Sequence, residues 1–231
     1  MADRLRRAIE WLQAHGSEAN REGMARYAIP STNTLGVSMT AIRALAKQLG
    51  RDHELASALW ETGLHEARML ATFIADPAQL SSEEMDDWCA SFNNWAICDS
   101  TCLHLFHRTA HASNKICEWS RSNEEFVKRA AFALIWSMSV HQKAAPDEPF
   151  LQHLELIERE AGDARNFVKK AVNMALRAIG KRSRRLNEAA TATALRLADS
   201  NDPTRRWIGK HALRELTNPA VQQRFRRRLL R

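Results

Sequence analysis

Trp95 and Asp99 stand four positions apart in the run Trp95-Ala96-Ile97-Cys98-Asp99, so on a helix they share one face. An indole offers its π face to a cation, and a carboxylate attracts the same partner. On a basic chain this carboxylate opposes the local sign of charge and repels a phosphate backbone unless a cation comes between. A cationic base or a cationic sugar is such a partner. The plainer alternative is a core Trp with Asp99 paired to a neighbouring Arg such as Arg108, and on the residues alone both readings stand.

Three cation pairs come next: Lys128/Arg129, Lys169/Lys170 and Arg205/Arg206. Each sits near the start of an expected helix, and Arg68 holds a similar place in Glu66-Ala67-Arg68-Met69-Leu70. A cation there opposes the helix dipole, which costs about a few tenths of a kcal/mol. Phosphate gives a reason to repeat the choice, because helix N-terminal amides and Lys/Arg side chains both bind it. The alternative is internal ion pairing to Glu124, Glu125 or Asp163. The tail Arg224-Phe225-Arg226-Arg227-Arg228-Leu229-Leu230-Arg231 is either a solvated helix end or a further phosphate contact. Cys98, Cys102, His104 and His107 have metal-binding side chains, but His104 points off the face shared by 98 and 102. Zinc sites draw on loops or on two elements, so neither metal nor cofactor is expected.

The elements that position these residues are helical. Phe126-Val127-Lys128-Arg129-Ala130 returns as Phe167-Val168-Lys169-Lys170-Ala171, a displacement of 41 residues. A looser copy follows at Pro203-Thr204-Arg205-Arg206. Such self-similarity marks stacked helix pairs, since one pair cannot bury its apolar face alone. Stacking lines the repeated cations along one side of a curved solenoid. Helices are predicted from Leu5, from Met24 to Ala28, after caps at Ser38, Asp52 and Ser81 or Ser82, over His65 to Asp76 and over Trp95 to His107. Further ones follow near 114–121, 124–140, 148–160, 164–180, 185–198 and 203–216. Only 8 Gly and 6 Pro occur in 231 residues, too few turn formers for a β-rich fold. No linker divides the chain, so one domain over 1–231 is expected, in repeats of roughly 1–50, 51–80, 81–121, 122–162, 163–202 and 203–231.

An apolar fraction of 45% excludes wholesale disorder. The net charge of +7 suits nucleic acid, an anionic membrane surface or plain solubility. No run is long and apolar enough for a membrane span, and the basic start lacks a signal-peptide core. With four unevenly spaced Cys, reduced thiols and a cytoplasmic setting are expected.

Four blocks in this order resemble the AlkD-type DNA alkylation repair glycosylases. They are Met24-Ala25-Arg26-Tyr27 with Leu35-Gly36-Val37; Trp95 to Asp99; Phe126 to Ala131; and Val168 to Arg177. The resemblance runs from Met24 to about Leu216 and implies an all-α fold of HEAT-like repeats, an α-solenoid. It implies a monofunctional glycosylase that excises cationic N3- and N7-alkylpurines from double-stranded DNA, acting as a monomer without a membrane partner. By that likeness Asp99 and Trp95 are catalytic. It places Arg129 on the phosphate flanking the lesion; Lys128, Lys169, Lys170, Arg43, Arg205 and Arg206 are further expected DNA contacts. The family's last cleft Trp falls on Met174, a departure, and its second acidic residue falls on Ala96. Trp136, two turns beyond Arg129, either borders the cleft beside Met174 or packs in the core. Two other readings remain: a non-catalytic HEAT-like protein that binds damaged or branched DNA, and a protein-binding scaffold with a basic face.

Overall fold

The structure, a computed structural model, describes the backbone over residues 1–229 and side chains through Phe225. Most of the basic tail read at Arg224–Arg231 thus lies outside the described residues. The described residues form α-helices joined by short turns, with one 3-10 turn at Phe106–Arg108. They fall into two compact units, Met1–Ser113 and Asn114–Arg231.

The first unit holds α1 (Ala2–Ala14), α2 (Glu18–Ala25), α3 (Met39–Leu49), α4 (His53–Glu61), α5 (His65–Ile74), α6 (Ser82–Ala90) and α7 (Trp95–His104). Ser38, Asp52 and Ser81 start their helices as the sequence predicts, each accepting a bond from a first-turn amide. These bonds satisfy donors that a helix start otherwise leaves unpaired. The helix expected at Met24 to Ala28 lies earlier: it is capped by Ser17 and ends at Ala25. Helices α3, α5 and α7 pack in a row. Thr72 of α5 and Thr101 of α7 join their hydroxyls at 3.1 Å inside it. On the other side of the unit Trp60 and Trp88 stack at 4.0 Å. Arg68 closes this stack, donating to the carbonyls of Trp60 and Ser91.

Helix α8 (Ala112–Trp119) leads into the second unit, with α9 (Glu125–His141), α10 (Glu148–Glu160), α11 (Asn166–Ile179), α12 (Arg184–Ala198), α13 (Pro203–Leu216) and α14 (Pro219–Leu229). Here α9, α11 and α13 form the row and α10 and α12 back it. The 41-residue echo is visible as contact between equivalent positions: the rings of Phe126 and Phe167 meet at 5.3 Å. Arg165 donates to the Asn123 carbonyl, and Phe167 N to the Glu125 carboxylate. Buried Asn173 of α11 donates to the Ile208 carbonyl of α13 at 3.0 Å. Gly209 lets α13 lie against α12, since a Cβ there would meet the Ala198 N at 2.3 Å.

Candidate functional site

Asn94 sets the start of α7. Its side-chain oxygen accepts from the amides of Ala96 and Ile97 at 3.0 and 3.1 Å. Trp95 is therefore the first residue of the helix. Asp99 follows one turn later, about 6 Å along the axis on the same face. Both are half-buried, whereas Ile97, Cys98, Thr101 and Cys102 of the same helix are sealed in the core. The indole and the carboxylate thus share a surface-accessible strip. The thiols do not: burial pushes the Cys102 thiol well up, with its hydrogen bond to Cys98 adding to the effect.

The Trp95 indole N–H donates to the carbonyl of Tyr27 at 2.7 Å. Tyr27 lies between α2 and α3 and is 70% exposed. That connecting segment is fastened at several points. Glu66, fully buried at the start of α5, accepts from the amides of Leu35 and Gly36 at 2.9 and 2.7 Å. Gly36 has φ of +78°, and a Cβ there would sit 2.1 Å from the Ser17 carbonyl oxygen. The His65 amide donates to the Asn33 carbonyl at 2.8 Å. Ala28 and Asn33 both have φ of 57°, a left-handed conformation that survives only where the surroundings hold it. A pocket with room for about one water lies beside the start of α7; it is lined by Asn33, Thr34, His65, Asn93, Asn94 and Ile97, among others. Burial holds the His65 imidazole below its ordinary value.

The cations divide by their partners. In the first unit, Arg43 is exposed, with its guanidinium 5.6 Å from the centre of the Phe73 ring. In the second unit, Lys128 reaches Glu160 at 2.8 Å and Asp163 at 3.4 Å. Burial pushes Glu160 up, but hydrogen bonds from Lys128 and Arg159 outweigh it and hold the carboxyl below its ordinary range. Arg165 does the same for Asp163. Arg129 is 5% exposed and donates to the Phe167 carbonyl at 2.7 Å, linking α9 to α11. Arg206 donates to the carbonyls of Ser200 and Asn201. Lys170 is exposed, Lys169 and Arg205 are half-buried, and none of the three pairs with a carboxylate among the described residues. Met174 and Trp136 are half-buried on α11 and α9.

Sequence reasoning missed two aromatics. Tyr27 stood in a quoted block with no role, yet its carbonyl fixes the Trp95 ring. Trp207 follows Arg205-Arg206 directly, and an aromatic interleaved with a basic run was the available signal.

A family model for the DNA alkylation repair enzyme matches residues 8–216. The chain belongs to the DNA alkylation repair enzyme family. Among solved structures, this family member is similar to one from "a new family of proteins related to the HEAT-like repeat DNA glycosylases with affinity for branched DNA structures". The match covers 92% of this chain and 95% of that one, with a TM-score of 0.75 and 20% identity. That likeness shows the fold, an all-α array of HEAT-like repeats. A designed armadillo repeat protein matches 77% of this chain and 92% of its own, at 16% identity and a TM-score of 0.33. Among curated proteins no match is found. No helix among the described residues of this family member is long and apolar enough to cross a membrane.

Proposed function

We propose that this protein is a DNA glycosylase that hydrolyses the N-glycosidic bond of cationic N3- and N7-alkylpurines in double-stranded DNA. The observation that carries the reading is the Trp95/Asp99 pair: one turn apart, half-buried, with the indole fixed by the Tyr27 carbonyl. An alkylated purine is positively charged and leaves without a strong general acid. As the C1′–N bond breaks, its electrons go to the purine and positive charge moves to the sugar, as in glycoside hydrolysis. Asp99 stabilises that charge and orients the water whose oxygen bonds to C1′ and whose proton is released. Trp95 packs against the deoxyribose and gives its π face to the cation, worth about 0.5–2 kcal/mol.

Phosphate contacts fall to Arg43, Lys169, Lys170 and Arg205, which make no ion pair among the described residues. Lys128, Arg129 and Arg206 instead fasten helix starts and loops within the second unit.

Release of N7-methylguanine from methylated duplex DNA tests the reading. Asp99→Asn should lower release about 100-fold or more while DNA affinity stays near that of the parent. Release by the Asn variant at the parent rate would remove Asp99 from the chemistry. A non-catalytic DNA-binding role is the second reading. It is favoured by Met174 and Ala96, an apolar thioether and a methyl where the resemblance expects an indole and a carboxylate. Tight DNA binding with no base release would decide for it.

A further inference from the structure

One face of α13 carries Trp207, Lys210, His211 and Arg214, at the i, i+3, i+4 and i+7 spacing of a single stripe. Trp207 is half-buried. The Lys169 ammonium, from α11, sits 5.1 Å from the centre of its ring. The His211 ring lies 4.2 Å away at 33°. The Arg214 guanidinium meets the His211 Nδ1 at 3.2 Å. Burial and the neighbouring charges of Arg214 and Arg177 hold His211 below its ordinary value, so near neutral pH it stacks as an uncharged ring.

The charge around this stripe is uncompensated. Elsewhere in the second unit, Lys128 pairs with Glu160, Arg165 with Asp163, Arg177 and Lys181 with Glu215, and Arg196 with Glu158. Lys169, Lys170, Lys210 and Arg214 make no ion pair among the described residues. The nearest acids on α13 are committed: Asp202 caps the Arg205 amide, and Glu215 holds Arg177 and Lys181. An indole ringed by uncompensated cations has the make-up of a stacking platform for single-stranded nucleic acid. Paired DNA buries its base faces and calls only for the cations. An acidic peptide likewise has no use for a flat ring.

Building on the DNA-binding reading, we propose that Trp207, with Lys169, Lys210 and Arg214, binds an unpaired nucleobase and its flanking phosphates. The base stacks on the indole. Lys169, long and flexible, leaves the ring face for a phosphate as the base arrives.

The test compares affinity, by fluorescence anisotropy, for a labelled duplex bearing an unpaired loop and for a fully paired duplex of the same length. Trp207→Ala should weaken binding to the looped DNA about tenfold or more and leave the paired duplex little changed. Trp207→Phe should recover most of the loss, and Trp207→Leu, which keeps apolar bulk without a ring, should not. Equal losses on both DNAs, or a Leu variant as good as Phe, would overturn the stacking role. A parent protein that binds neither DNA would sink the DNA reading itself. Parent binding that survives Trp207→Ala unchanged would sink this inference alone.

Discussion

An indole has one hydrogen to donate. In Trp95 it goes to the Tyr27 carbonyl, so the ring plane is set from outside α7. The same residue keeps an accessible strip beside Asp99, since both side chains are half-buried while Ile97 and Cys98 between them are buried in the core. Met174 stands where the resemblance expects an indole. Its thioether is polarizable and covers a sugar well, but it lacks the ring quadrupole that attracts a cation. Met174→Trp should therefore raise the single-turnover rate of alkylpurine release by about two- to thirtyfold. An unchanged rate would mean that position 174 does not face the reacting sugar.

At the scale of elements, charged side chains tie the starts of α5 and α9 to neighbouring segments. Glu66 takes the amides of Leu35 and Gly36, Arg68 the carbonyls of Trp60 and Ser91, and Arg129 that of Phe167. Glu66 matters most for the site, since the segment it fastens also carries Tyr27. Glu66→Gln keeps one acceptor but turns an NH2 toward an amide N–H. Urea denaturation should show a loss of about 2–3 kcal/mol, and alkylpurine release should fall through the loosened Trp95. Stability equal to the parent would mean that Glu66 does not hold the segment. For the repeated basic pairs the sequence leaves two readings, phosphate ligands or internal ion pairs to Glu124, Glu125 or Asp163. Spacing predicts a helix face, but it does not say whether a carboxylate from the next helix already occupies that face, as Glu160 and Asp163 do for Lys128.

Across the whole molecule, buried histidines make stability depend on pH. In the second unit, burial holds His153 down to about 4, and its Nδ1 has no hydrogen-bond partner. In the first, His65 is shifted in the same direction. Both are neutral when folded, whereas the unfolded chain takes up protons below its ordinary value of 6.5. Stability from this source is complete above 6.5, falls as the pH drops from 6.5 to about 4, and levels off below. For His153 the ceiling of the loss is about 3 kcal/mol. Asp163 and Glu160, held low by their partners, lose their contribution at still lower pH. His153→Leu should flatten the upper part of a urea-midpoint profile between pH 4 and pH 7. A profile as steep as the parent's would show that His153 is not the titrating group.

Helix periodicity, caps and the 41-residue echo determined the all-α repeat architecture from the sequence alone. Those signals are local, and they repeat, so several helices could be bounded from their own residues: 148–160 and 203–216 coincide with α10 and α13, while α2 lies earlier than expected. Four-residue spacing likewise put Trp95 and Asp99 on one face. Only the tertiary structure decided which cations pair inside the protein and which do not. It alone joined the Trp95 ring to a carbonyl 68 residues earlier and set Lys169 over Trp207. The physical reason is that a side chain's partners across a helix interface depend on the register in which two helices pack, and no spacing within either helix specifies that register.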